Sequence, residues 1–216
     1  MRGSGFRLLM SCFVLEPSLD SLPERVGAYL FDCDGTLVDT MGAHYQSWMA
    51  VLADAGATAP VSFARFCTLG GMSGVEVALR LRDWAGVPHA DPEPLVSRKR
   101  AAYMQVAASC PPIAPVAEFA RRVAATHPVA VVSGGHRQAV ELALTGSGLR
   151  SLFPVVVTPE DVRHGKPAPD MFLLAAERLG VDPATCLVFE DGLPGIEGAR
   201  AAGMKVVVVK PAPVPV

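Results

Sequence analysis

Short apolar runs and amphipathic segments alternate along much of this chain. Apolar runs of this length, bounded by polar or glycine-containing segments, are typical of buried strands. From Val129 onward they alternate with segments such as Met171–Leu179, in which apolar residues recur at helical spacing. This alternation predicts βαβ units on a parallel sheet and therefore an α/β fold. The predicted strands are Ala28–Phe31, Val129–Val132, Val155–Val157, Cys186–Phe189 and Val206–Val209.

The strand signal disappears between Met41 and about Ile113, where apolar residues keep a helical period instead. An all-helical insert is therefore predicted after the first strand, and Pro111–Pro112 mark its return to the sheet. We divide the chain into an N-terminal extension without regular structure (1–23), a core (24–40 and 114–216) and a helical cap (41–113). The predicted cap helices are His44–Ala55, Val75–Trp84 and Leu95–Ala108.

Composition narrows the class of protein. With 216 residues, 50% of them apolar, the chain can bury a substantial core. A net charge of −2 without a Lys/Arg block argues against a nucleic-acid partner, and no apolar run is long enough to span a membrane. The five cysteines lack CxxC spacing, which favours neither a disulfide framework nor a zinc site. We expect a cytoplasmic protein, a monomer or weak dimer, with a small-molecule partner.

The first predicted strand ends in two carboxylates, Asp32 and Asp34, followed by Gly35. Residues two apart in an extended segment face the same side, so these carboxylates can converge while Cys33 points into the core on the opposite face. Neighbouring carboxylates repel unless one is protonated or a cation neutralises them, and hard oxygen ligands favour Mg²⁺. A simple Asp-Gly turn that closes a buried strand is the alternative.

Three further strand ends carry residues that complement these carboxylates. The segment Ser133–Gly135 offers a hydroxyl and backbone N–H groups suited to a phosphate oxygen. Lys166 follows the third predicted strand, and Glu190 and Asp191 follow the fourth. Taken singly, these features also fit a helix cap, a solvated lysine and an acidic turn. Because ligands collect at the carboxyl ends of strands in open α/β sheets, the four strand ends together predict a functional site.

These motifs resemble those of the haloacid dehalogenase superfamily of phosphotransferases, over about Val26 to Val209. The run Phe189–Ile196 is similar to the subgroup of sugar-phosphate phosphatases and β-phosphoglucomutases, which also carries a helical cap after its first motif. The resemblance implies a Rossmann-like, three-layer core with a parallel sheet. The matching positions are Asp32–Thr36 for the first motif, DxDGT, followed by Ser133, Lys166 and Glu190–Asp191.

The resemblance also implies a role for each residue. Asp32 would attack phosphorus to form an aspartyl-phosphate, while Asp34 would protonate the leaving alkoxide and later deprotonate the hydrolytic water. Mg²⁺ would be held by Asp32, the backbone carbonyl of Asp34 and Asp191, with Glu190 close by or bound through water. Lys166 would stabilise the phosphoryl oxygens and offset the carboxylates. The implied phosphate-binding residues are Gly35, Thr36, Ser133, Gly134 and Lys166, of which Ser133 and Lys166 also count as catalytic.

Three residues of the predicted cap are candidates for substrate contact. His44 lies where this subgroup places a histidine, and Arg98 and Lys99 offer charge for a second phosphate or a carboxylate. The alternatives are a surface or packing role for His44 and a solvated basic helix face for Arg98 and Lys99.

The expected function is Mg²⁺-dependent hydrolysis of a small phosphomonoester, a sugar phosphate above all. Asp34 argues against dehalogenation, because a departing halide needs no proton. The alternative is a sugar phosphomutase similar to β-phosphoglucomutase. A ligand-binding or regulatory protein without turnover is a third hypothesis, against which the intact acidic and lysine positions argue.

Overall fold

A six-stranded sheet with helices on both faces forms the centre of the molecule. The computed structural model describes residues 13–16, 25–70 and 72–211. The strands lie in the order β1-β6-β5-β2-β3-β4. They are β1 (Phe13–Glu16), β2 (Ala28–Phe31), β3 (Val129–Val132), β4 (Val155–Val157), β5 (Cys186–Glu190) and β6 (Lys205–Pro211).

Strands β2 to β6 pair in parallel, as the sequence predicts. The edge strand β1 pairs antiparallel with β6, so the sheet is mixed. This strand corrects the expectation that residues 1–23 lack regular structure. The rest of that extension lies outside the described residues.

Two layers of helices cover the sheet because alternate residues of each strand face opposite sides. Tyr29 and Phe31 of β2 pack in one buried cluster with α5 and α6, whereas Ala28 and Leu30 pack in another with α7 and α8. Cys33 is fully buried in the first cluster, which confirms its prediction as a core residue. These helices are α5 (Ala114–Val123), α6 (Arg137–Gly146), α7 (Asp170–Leu179) and α8 (Leu193–Ala201).

Four helices follow β2 and share a hydrophobic cluster of their own, around Trp48, Leu52 and Leu81. The chain enters and leaves this helical layer side by side, because Asp39 N–H donates to the Pro111 carbonyl at 2.9 Å and Ile113 N–H to that of Leu37 at 2.9 Å. No helix of the described residues is long and apolar enough to cross a membrane. The helices are α1 (Met41–Asp54), α2 (Phe63–Cys67), α3 (Gly74–Trp84) and α4 (Pro92–Met104).

Candidate active site

Asp32 stands at the carboxyl end of the central strand β2. Its backbone N–H donates to the Phe189 carbonyl of β5 at 2.9 Å, which extends the sheet pairing by one residue beyond the apolar run. The side chain is only 8% exposed. A buried carboxylate at this position requires a cationic partner.

Lys166 is that partner. Its Nζ donates to Asp32 Oδ1 at 2.7 Å, to Glu190 Oε2 at 2.7 Å and to the Val132 carbonyl at the end of β3 at 2.8 Å. All three ammonium hydrogens therefore have acceptors. The side chain is 10% exposed, and the peptide bond that follows it, to Pro167, is cis. One nitrogen thus links the ends of β2, β3 and β5.

Asp191 completes a cluster of three carboxylates. Each of Asp32, Glu190 and Asp191 offers an oxygen within 4.8 Å of the others. Thr36 Oγ1 donates to Asp191 Oδ1 at 2.9 Å, so this fully buried threonine positions a carboxylate. Gly35, at φ +86°, has no side chain to collide with Asp191: a Cβ there would lie 2.5 Å from its Oδ2.

Glu190 is fixed within the same cluster. It is 3% exposed, and its Oε1 accepts a hydrogen bond from the Gly192 N–H at 3.0 Å. Helix α8 approaches it closely because position 195 is glycine, where a Cβ would lie 2.0 Å from Glu190 Oε2. The glycines that follow the acidic pair therefore make room for its carboxylates.

The cluster carries more negative charge than its lysine offsets. Burial, followed by the Glu190 charge, raises the pKa of Asp32 well above its usual value despite Lys166. The same two causes raise the pKa of Asp191 to about 7. The pKa of Lys166 is raised as well, because attraction to Asp32 and Glu190 outweighs its desolvation. Such a site favours the arrival of another cation.

Asp34 points away from this cluster and towards the helical layer. Lys99 Nζ donates to His44 Nδ1 at 2.6 Å, which leaves His44 Nε2 to donate to Asp34 Oδ1, at 3.4 Å. Tyr103 of α4 donates its hydroxyl to the same oxygen at 3.3 Å and stacks on the His44 ring at 3.9 Å. The Asp34 carboxylate is therefore held by residues of α1 and α4.

These contacts set the charges around Asp34. Its burial raises the pKa, but the hydrogen bond from His44 and the positive charge of the His44–Lys99 pair outweigh burial and lower it to about 2. Desolvation lowers the pKa of Lys99 to about 8. Burial, with the Asp34 charge, raises the pKa of Tyr103, so its hydroxyl keeps its proton. Asp34 is accordingly ionised at neutral pH.

A cavity of about 810 Å³ lies between the strand ends and the helical layer. We call its lining residues at the strand ends, which include Asp32, Asp34, Lys166 and Ser133–Gly135, the floor. We call its lining residues between Met41 and Lys99 the roof. Ser133 is 1% exposed, and its Oγ accepts a hydrogen bond from the Gly135 N–H at 3.1 Å.

The structure brings most of the candidate residues to this cavity, but not all of them. Gly134, His44 and Lys99 line it with the acidic cluster and Lys166. Arg98 is exposed and does not line the cavity. Gly35 and Thr36 do not line it either, and both lie against the side chain of Asp191. The Asp34 carboxylate is outside the three-carboxylate cluster. Tyr103 was missed, because its helix-period position resembles that of an ordinary core residue.

Known proteins that are similar to this chain identify the class to which it belongs. A model of the haloacid dehalogenase-like hydrolases matches residues 26–203, and the chain belongs to this family. A fructose-1-phosphate phosphatase, YqaB of Escherichia coli strain K12, is 35% identical over 187 residues, which are 87% of this chain and 98% of the relative. Hexitol phosphatase B of the same strain is 29% identical, over 89% of this chain and 87% of the relative.

A solved structure extends the likeness to three dimensions. It is that of a HAD-family hydrolase from Deinococcus radiodurans R1 with bound phosphate and sodium. The TM-score is 0.67 at 31% sequence identity, over 85% of this chain and 80% of the other. Together with the family match and the phosphatase relatives, this likeness identifies the chain as a phosphatase of the haloacid dehalogenase-like fold.

Proposed function

We propose that this chain hydrolyses a small phosphorylated metabolite, a sugar phosphate, through a phosphorylated Asp32, with Mg²⁺ in the carboxylate cluster. The proposal rests chiefly on the buried Asp32 carboxylate, paired with Lys166 at 2.7 Å and close to two further carboxylates. A nucleophile, a fixed cation and a set of hard oxygen ligands are the parts that phosphoryl transfer requires.

In the first step, an Asp32 carboxylate oxygen attacks phosphorus while the bond from phosphorus to the ester oxygen breaks. The leaving oxygen takes a proton from Asp34, which leaves an aspartyl-phosphate and a free alcohol. Lys166 stays bonded to Asp32 and stabilises the negative charge that collects on the phosphoryl oxygens. Backbone N–H groups near Gly134, which lines the cavity, would donate to one of those oxygens.

In the second step, water attacks the same phosphorus atom. Asp34 accepts a proton from that water, the bond from phosphorus to the Asp32 oxygen breaks, and inorganic phosphate leaves. The pKa of Asp34, lowered to about 2 by its partners, suits this role as a base. For the first step Asp34 needs a proton, and a phosphate dianion arriving beside it favours its protonated form.

The residues of the cluster fit Mg²⁺. Three carboxylates within 4.8 Å carry up to three negative charges against one lysine, and all are oxygen ligands. Asp32 and Asp191 would hold the ion, with the Asp34 backbone carbonyl, and Glu190 would bind it directly or through water. Bound there, Mg²⁺ would neutralise the attacking carboxylate and the phosphoryl oxygens.

The helical layer acts as a cap over this site. It lines the cavity opposite Asp32, and in this role it would keep bulk water from the first step and limit the substrate to a small molecule. The phosphatase relatives favour hydrolysis over the phosphomutase alternative. Among the described residues, Cys33, Cys67, Cys110 and Cys186 form no disulfide, in keeping with a reducing cytoplasm.

Phosphorus NMR of the purified protein tests the proposal. With Mg²⁺ and fructose 1-phosphate or sorbitol 6-phosphate, we expect the inorganic phosphate signal to grow as the ester signal falls. Rapid acid quench and mass spectrometry should find one phosphoryl group on the peptide that contains Asp32. Isomerisation of a sugar phosphate without free phosphate would instead establish a mutase, and no reaction of any ester would contradict both.

A further inference from the structure

The roof of the cavity is poor in positive charge. Of the described residues that line the cavity, Lys99 and Lys166 are the lysines, and no arginine is among them. Lys166 has three acceptors in the floor, and Lys99 is bonded to His44, which itself contacts Asp34. Both cations are therefore held by, or next to, residues of the floor. A second anion further out would have no cationic partner among these side chains.

The remaining roof is apolar apart from a few hydroxyls and one carboxylate. Phe66 and Leu69 are buried side chains of this surface, and Met72 is exposed at its edge. An anion placed against such side chains loses hydration without gaining a partner, which is unfavourable. An uncharged carbon chain with hydroxyl groups loses far less.

The amino end of helix α3 also lies at the roof, and the chain caps it with its own side chains. Ser73 Oγ accepts a hydrogen bond from Glu76 N–H at 3.3 Å, and Glu76 Oε2 accepts one from Ser73 N–H at 2.9 Å. This capping box occupies donors that an anionic ligand would use. It also places the Glu76 carboxylate on the cavity wall.

Glu76 is ionised and faces the ligand space. Its hydrogen bonds with Ser73 lower its pKa below the usual value. Ser73 occupies one of its oxygens, while the carboxylate as a whole can accept hydrogen bonds from sugar hydroxyls. A carboxylate or phosphate on the substrate would be repelled by it.

We propose that this site selects monophosphates whose body beyond the phosphate is uncharged, as in sugars and polyols, and rejects esters with a second phosphate or a carboxylate. The inference deepens the proposed function and rests on it. It also disfavours phosphoryl transfer to a second sugar phosphate, since that transfer would place a bisphosphate beneath the roof.

Matched substrate pairs test this selectivity. Sorbitol 6-phosphate and 6-phosphogluconate share their carbon chain and differ at C1, which is a hydroxymethyl group in one and a carboxylate in the other. Fructose 1-phosphate and fructose 1,6-bisphosphate differ by one phosphate. We expect kcat/KM to be at least about tenfold higher for the uncharged member of each pair, because the charged member loses about 1.4 kcal/mol or more of binding.

The variant Glu76→Gln isolates the contribution of the roof carboxylate, because glutamine retains the capping box. It should raise the kcat/KM ratio of 6-phosphogluconate to sorbitol 6-phosphate several-fold. Glu93→Gln is the matched control: Glu93 is an exposed glutamate in the first turn of α4 and does not line the cavity. It should leave the ratio unchanged.

Equal kcat/KM within each pair, or a preference for the charged member, would overturn the selectivity while leaving phosphatase activity in place. A Glu76→Gln ratio no different from that of Glu93→Gln would overturn the part assigned to Glu76. Phosphate release from none of the four esters would overturn the proposed function itself, and this inference with it.

Discussion

The floor and the roof of the cavity differ most in their charge. The floor concentrates charge: three carboxylates meet one lysine whose hydrogens all have acceptors. The roof is poor in charge, because the amino end of helix α3 is capped by its own side chains and most of the cavity wall there is apolar. The His44–Lys99 pair connects the roof to the floor. From this difference we propose that the sheet carries the chemistry and that the helices choose the substrate.

Removing the proposed nucleophile of the floor should produce the largest effect. Asp32→Asn keeps the volume but abolishes attack on phosphorus, so turnover should fall at least about 10³-fold. Phosphate release measures it. Asp39→Asn is the control, because Asp39 is exposed and does not line the cavity. Turnover within tenfold of wild type by a folded Asp32→Asn variant would exclude Asp32 as the nucleophile.

The floor's charge balance should appear in stability. Lys166→Met leaves Asp32 and Glu190 buried without their cation, and we expect it to lower the free energy of unfolding by about 3–5 kcal/mol. Lys210→Met removes an exposed ion pair with Glu16 and should cost less than about 1 kcal/mol. Urea unfolding compares the two, and equal losses would argue against a charge-balanced floor.

Metal removal tests the carboxylate cluster. Chelation with EDTA should stop turnover, and excess Mg²⁺ should restore it. Without substrate, Mg²⁺ at about 100 times its dissociation constant should stabilise the fold by about 2.7 kcal/mol, measured as a rise in Tm. Asp191→Asn should reduce that rise. Full turnover in metal-free buffer would refute the metal requirement.

The connection between roof and floor should show the smallest effect. Lys99→Met removes the cation that orients His44 towards Asp34, and we expect about a tenfold fall in kcat with a smaller change in KM. Arg98→Met, one residue away and facing solvent, should change kcat less than about twofold. Equal effects would place Lys99 outside the site.

The pH dependence of kcat offers a separate readout of Lys99. Its pKa of about 8 means that it is protonated below that pH and loses its charge above it. The part of kcat that depends on this charge should fall as pH rises through about 8. That fall should be absent in Lys99→Met.

Local pattern accounts for the sheet and for the convergence of its strand ends. Parallel strands must place Asp32, Ser133, Lys166 and Glu190 at one edge, so spacing alone predicts that they meet. Strand β1 was missed because its pairing with β6 joins segments far apart in sequence. Helix α2 was missed because its five residues are too few to show a period.

Side-chain direction in the cap was harder to predict. Arg98 and Lys99 are adjacent basic residues on one helix, about 100° apart around its axis, and only the packing of α4 on α1 decides which one faces the cavity. Tyr103 likewise has a core position, and its hydroxyl reaches Asp34 because α4 also contacts the core helix α6. Tertiary packing, and not the helical period, therefore determines which of these side chains face the cavity and Asp34.

The central place of β2 has a consequence for biosynthesis. This strand leaves the ribosome before β3 and β5, its two neighbours, and helices α1–α4 are made in between. Those helices can bury a hydrophobic cluster of their own before β3 and β5, the strands that pair with β2, have been made. A nascent chain that stops short of Glu190 has neither the complete sheet nor the third acceptor of Lys166. The proposed active site is therefore among the last parts of the molecule to be completed.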